Sequence, residues 1–100
     1  MRIAEPQIEM IRQICKSTRV KSLFAFGSVT REDFGDSSDI DMVVDFEEQD
    51  PFIYTDLYFT LKSSLESILN RQIDLLEERG IRNHIFREQL DRTKVMIYAS

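Results

Sequence analysis

Apolar residues recur along the chain in two different rhythms, and the alternation between them sketches the fold. Ile8, Ile11, Ile14 and Cys15 fall on one stripe at helical spacing, so a first helix is predicted from near Glu5-Pro6, where proline suits the first turn, to before Val20. Val20 to Phe26 then reads as a buried strand broken by Gly27-Ser28, with a short helical turn expected over Val29 to Phe34. Gly35-Asp36-Ser37 is a cluster of turn formers leading into a second strand from Ser38 to Phe46. After the polar connector Glu47 to Asp50, Pro51 is placed to start a long helix running from about Phe52 to Leu69. Its core stripe is Tyr54, Leu57, Tyr58, Leu61, Leu65, Ile68 and Leu69, with Phe52 and Phe59 on the opposite side. A third strand is expected over Gln72 to Glu77, closed by Gly80. Asn83 should then cap a helix carrying Ile85, Phe86 and Leu90, and Lys94 to Tyr98 forms a last strand. The order α-β-(short α)-β-α-β-α-β predicts an α/β (α+β) fold, one layer pair in which helices cover a four-stranded sheet.

Composition narrows this picture. One hundred residues, 42% of them hydrophobic, suffice for one small domain over residues 1–100 with little core to spare. A net charge of −5 argues against a partner held mainly through nucleic-acid phosphates, which calls for a basic surface. It leaves room for a nucleotide whose phosphates are neutralised by metal ions. Cys15 is the sole cysteine, so no disulfide framework exists and a reducing, cytoplasmic setting is expected. No apolar run reaches membrane-spanning length, and Met1 to Pro6 has no signal-peptide apolar region.

The second strand carries the chemistry. Asp39 and Asp41 are two residues apart in an otherwise apolar segment, so on a strand they point the same way, roughly 6–7 Å apart along the backbone. Two anions side by side cost stability unless a cation lies between them. Magnesium prefers oxygen ligands and keeps coordination sites for water and phosphate, so paired carboxylates near a phosphate cradle suit phosphoryl or nucleotidyl transfer. Gly27 permits close approach of a ligand to the backbone, and Ser28 adds a hydroxyl at the start of a helical turn. A third acid from another strand would complete the cluster and could draw a proton from an attacking hydroxyl. Asp74 is the candidate, an acid among apolar neighbours in Ile73-Asp74-Leu75-Leu76. Asp45, Glu77 and Glu78 are other acids near enough to compete for that role. Arg31 suits either an ion pair within the loop or a phosphate contact, and Ser38 suits a local hydrogen bond that orders it. His84 reads as a surface residue, Cys15 as core, and Glu47, Glu48 and Asp50 as a solvated connector. Phe52 and Phe59 are either covered by another element or form an apolar patch for a partner.

The segment Gly27-Ser28-Val29-Thr30-Arg31-Glu32-Asp33-Phe34-Gly35-Asp36-Ser37-Ser38-Asp39-Ile40-Asp41 resembles the signature of the polymerase-β nucleotidyltransferase superfamily, in its minimal nucleotidyltransferase (MNT) branch. The chain departs from that pattern at Glu32 and in the acidic Asp36-Ser37, neither of which removes a ligand. The resemblance implies a polymerase-β-like fold with a mixed four-stranded sheet. It also implies Mg2+, as two ions, on Asp39, Asp41 and Asp74, and a nucleotide site of Gly27, Ser28, Arg31 and Ser38. Many MNT proteins are antitoxins that transfer AMP from ATP to tyrosines of a HEPN-domain toxin. The resemblance therefore implies a protein adenylyltransferase with that toxin and ATP as its partners, and neither nucleic acid nor membrane. Two other functions fit the same residues: an antitoxin that blocks its toxin by binding alone, and a nucleotidyltransferase acting on a small molecule or an RNA end.

Overall fold

The computed structural model describes residues 3–30 and 39–100. Helix α1 spans Glu5–Ser17, strand β1 Val20–Phe26, a 3₁₀ turn Gly27–Thr30 and strand β2 Ile40–Phe46. Helix α2 then covers Pro51–Leu69, strand β3 Ile73–Glu77, a second 3₁₀ turn Glu78–Gly80, helix α3 His84–Thr93 and strand β4 Val95–Ala99. The strands form one sheet in the order β3-β2-β1-β4. β1 runs antiparallel to both β2 and β4, whereas β2 and β3 are parallel, with α2 as the crossover that a parallel pair requires. The sheet is therefore mixed, as expected.

Strand alternation sorts the residues onto two faces. Leu23 and Ala25 of β1, Ile40, Met42, Val44 and Phe46 of β2, Ile73 and Leu75 of β3, and Ile97 of β4 are buried together with Ile8, Ile11 and Cys15 of α1 and Leu61, Leu65 and Leu69 of α2. Both predicted helix stripes are the ones that meet the sheet. The single layer pair needs correction, because α3 lies on the other face. The Phe86 ring stands edge-on to Phe26 of β1, with centroids 6.0 Å apart, and Lys94 Nζ sits 4.2 Å from the centre of the Phe24 ring. Helical periodicity shows which side of α3 is apolar but not which face of a sheet receives it.

Other differences are local. The turn expected over Val29 to Phe34 begins earlier, at Gly27, because a glycine at φ +73 breaks the strand at once. The rest of that turn, the Gly35-Asp36-Ser37 loop and the first residue of the expected second strand, Ser38, lie outside the described residues. Asp39 stands just before β2 rather than within it. Asp50, read as connector, is the N-cap of α2, its Oδ1 accepting from the backbone N–H of Phe52 at 2.9 Å and of Ile53 at 3.3 Å. Asn83 caps α3 as predicted, accepting from Ile85 N–H at 2.9 Å and Phe86 N–H at 3.0 Å.

The outer edge of β3 is covered by α2, which limits stray strand pairing there. Tyr58 donates its hydroxyl proton to the Leu75 carbonyl at 2.6 Å, and Ile73 N–H donates to Glu66 at 3.1 Å. No helix among the described residues is long and apolar enough to cross a membrane.

Candidate active site

Ladder register decides which acids meet. Asp41 is paired across the antiparallel ladder with Phe26 and across the parallel ladder with Asp74. Asp41 and Asp74 are thus neighbours on adjacent strands, about 4.8 Å apart in the hydrogen-bonding direction, on the face turned away from the main core. Gly27 follows directly on Phe26. A Cβ at position 27 would fall 2.5 Å from Asp41 Oδ2, and the positive φ of Gly27 is itself a conformation that L side chains rarely adopt. The Asp41 carboxylate therefore packs on bare backbone, and any larger residue at position 27 would push it aside.

Two of the three competing acids, Asp45 and Glu78, are engaged by arginines. Asp45 lies four residues beyond Asp41 on the same face, and its Oδ1 accepts from Arg79 Nη2 at 3.0 Å and Nε at 3.3 Å. Arg79 also donates to the Phe46 carbonyl at 2.9 Å and the Glu48 carbonyl at 3.1 Å, and covers the Tyr54 ring at 4.3 Å. It thereby ties the end of β2 to α2. Glu78 is ion-paired with Arg87. Glu48 accepts from the Asp50 N–H, and this bond more than any other feature holds its carboxyl below the usual range.

Asp74 is exposed, and its charge is felt by Tyr58. The Tyr58 hydroxyl is pushed up mainly by burial, then by the negative charges of Glu77 and Asp74. Asp39 is exposed too, one residue outside the ladder, so pleat alternation does not hold it over Asp41. Carboxylate oxygens are the donors magnesium prefers, and the pair Asp41–Asp74 provides them side by side. Among the described residues, no three His, Cys, Asp or Glu side chains converge closely enough to hold one ion. The fold thus aligns Asp41 with Asp74, and Asp39 precedes the ladder by one residue. Arg31 and Ser38 lie outside the described residues, and the backbone of Ser28 belongs to the 3₁₀ turn after Gly27.

Among the described residues, hollows open at two places that bear on the site. One, of about 500 Å³, opens between the Phe26–Gly27 end of β1 and helix α3, with Phe86, Gln89 and Arg92 on its far wall. The other, of about 170 Å³, lies along α2 between Thr55, Tyr58, Phe59 and Glu77. Neither was legible from periodicity, since each is made by residues distant in sequence.

Known proteins resemble this chain in sequence and in fold. The sequence profile of the family described as polymerase beta, nucleotidyltransferase, matches residues 9–100. Two Methanocaldococcus jannaschii proteins, provisionally named protein adenylyltransferases MJ1215 and MJ1379, are relatives. The first is 34% identical over 70 residues, covering 70% of this chain and 78% of its own length. The second is 30% identical over 79 residues, covering 79% and 78%. A solved structure described as a minimal nucleotidyltransferase, again provisionally, superposes with a TM-score of 0.74 at 30% identity, covering 90% of this chain and 88% of that one. A toxin–antitoxin crystal structure with AMP-PNP has the same fold, with a TM-score of 0.70 at 19% identity over 93% of this chain and 73% of that one. So does the complex of a tri-AMPylated Shewanella oneidensis HEPN toxin with its MNT antitoxin, with a TM-score of 0.64 at 17% identity over 96% and 72%. The protein belongs to the polymerase-β nucleotidyltransferase family, in its minimal nucleotidyltransferase branch.

Proposed function

We propose that this protein is a magnesium-dependent protein adenylyltransferase that transfers AMP from ATP to a tyrosine of a HEPN-domain toxin, and so acts as the cytoplasmic antitoxin of that toxin. The observation that carries the reading is the parallel register of Asp41 with Asp74, next to a glycine that leaves the Asp41 carboxylate against bare backbone. Gly27 and Ser28, with Arg31 and Ser38, would hold the triphosphate, and Asp39, Asp41 and Asp74 would hold Mg2+. When bound, the metal neutralises phosphate oxygens and keeps the attacking and leaving oxygens in line. The tyrosine oxygen forms a bond to the α-phosphorus while the bond from that phosphorus to the β-phosphate oxygen breaks. Diphosphate leaves, and Asp74, on the outermost strand, takes the hydroxyl proton.

The acceptor has to arrive on another molecule, and α2 offers it a face. Phe52 is 83% exposed and Phe59 58% exposed, so neither belongs to the core. Phe59 stands edge-on to Tyr58 at 5.2 Å, beside the strand that bears Asp74. A net charge of −5 counts against an RNA end as the acceptor.

The test mixes the protein with its HEPN-domain partner, ATP and Mg2+, and weighs the partner intact. Added AMP, lost in Asp39→Asn/Asp41→Asn, is expected. A bound partner that gains no mass sinks the reading. Toxin neutralisation that survives the double substitution points instead to inhibition by binding alone. Phe59→Ser should leave the fold intact and abolish complex formation.

A further inference from the structure

The hollow along α2 has no part in the steps above, and beside it lies a polar atom without a partner. Tyr54 borders the hollow and is only 8% exposed, yet its buried hydroxyl oxygen makes no hydrogen bond among the described residues. Its ring is fixed in place, with Phe46 edge-on to it at 5.1 Å and the Arg79 guanidinium over its face. A buried hydroxyl left unpaired is costly, because it has given up water and gained nothing in return. Glu77 shares the hollow, its charge reaches the Tyr54 hydroxyl, and its carboxylate makes no ion pair among the described residues. Arg79, the cation over Tyr54, is engaged by Asp45. Tyr58 and Phe59 supply aromatic walls, edge to face at 5.2 Å.

An unpaired carboxylate, an unpaired hydroxyl oxygen and aromatic rings around one small space match a cation that carries several N–H donors. Size decides what kind of molecule brings it. At about 170 Å³ the hollow is smaller than the roughly 300–1,000 Å³ of small-ligand clefts, and it suits a single side chain. Phe52, Thr55 and Phe59 share one side of α2, and the two phenylalanines, largely exposed, give a protein surface apolar area to settle on. We propose that this hollow takes one arginine side chain of the protein that carries the acceptor, its guanidinium against the Tyr58 and Phe59 rings and donating to Glu77 and to the Tyr54 oxygen. Arginine fits better than lysine because its planar fork stacks on aromatic faces while donating in two directions. Glu77 lies three residues from Asp74 on the outermost strand, roughly 10 Å along it, so a partner anchored here has its adjoining surface beside Asp74. The docking site rests on the reading of the protein as one that acts on a partner protein.

The test is a double-mutant cycle on the complex of the full chain with its HEPN-domain partner, followed by calorimetry without ATP so that binding is read apart from transfer. Glu77→Gln should weaken the complex by about tenfold or more. Exchanging the partner's surface arginines for alanine one at a time should find one whose loss weakens the complex with the wild type by a similar factor and adds little to Glu77→Gln. Tyr54→Phe, which deletes only the unpaired oxygen, should leave the free chain at least as stable and still weaken the complex. If Glu77→Gln lowers the unfolding midpoint of the free chain, Tyr54→Phe takes its place in the cycle. Binding unchanged in both variants, or no partner arginine coupled to either, overturns the site and leaves the transferase reading standing. A partner that does not bind the wild type overturns the partner reading, and the site with it. A partner held through this site that gains no AMP sinks the transferase reading alone.

Discussion

Gly27 and Asp74 affect stability in opposite directions. At position 27 an added methyl would fall 2.5 Å from Asp41 Oδ2 on a backbone with φ +73. The left-handed conformation alone costs an L residue about 1–2 kcal/mol, and displacement of the carboxylate adds to that. Gly27→Ala should therefore lower unfolding free energy by at least about 1–2 kcal/mol in urea titration and abolish transfer. Asp74 faces Asp41 across a parallel ladder, and like charges so placed repel. In the absence of metal, Asp74→Asn should raise stability by about 0.2–1 kcal/mol while transfer is lost. Such a gain in stability with loss of activity marks a residue kept for its chemistry rather than for the fold. The sequence named Asp74 as the candidate third acid, with Asp45, Glu77 and Glu78 as competitors. Of these, Asp45 and Glu78 are engaged by Arg79 and Arg87, partners separated in sequence that leave no local signature.

Among the elements, α2 and α3 are both capped by a side-chain oxygen but depend on the cap to different degrees. α2 buries Tyr54, Leu61, Leu65 and Leu69, so Asp50→Ala should fray only its first turn. α3 is ten residues long and buries Leu90 alone, and packing at the level of one residue does not hold so short a helix without help. Asn83→Ala should cost about 1 kcal/mol, and amide hydrogen exchange across residues 84–93 should speed up more than exchange across α2 does in Asp50→Ala. Equal responses in the two helices would show that α3 is held mainly by its contacts with β1. The caps also show how far punctuation can be read from sequence. Asn83 stood directly before an apolar stripe and was recognised, whereas Asp50 was masked by the acidic run Glu47, Glu48 and by Pro51.

For the whole molecule, the groups with raised pKa values set an alkaline limit. Burial pushes the Cys15 thiol from its ordinary 9.0 up to about 12, and raises the hydroxyls of Tyr54 and Tyr58 as well, with the charge of Glu77 adding to both. Each group keeps its proton longer in the folded chain than in the unfolded one. The unfolded state therefore binds fewer protons once pH passes the ordinary value, and the stability these groups contribute is lost as pH rises toward the folded value. Unfolding midpoints should be level from neutral pH to about pH 9 and fall between pH 9 and 12, with a shallower slope in Cys15→Ala. A slope unchanged by that substitution would assign the loss to the tyrosines.

Hydrophobic rhythm, turn formers and caps are properties of short stretches. From them alone the seven main elements, the two helix stripes and the Gly27-to-Asp41 motif were legible, with strand ends misplaced by one or two residues where side-chain alternation runs on past the ladder. Strand order, the pairing of Asp41 with Asp74, the face that receives α3 and the hollow it makes with Phe26 were decided only by the tertiary structure. These depend on which segments become neighbours after a crossover as long as α2, and no local pattern of residues records that choice.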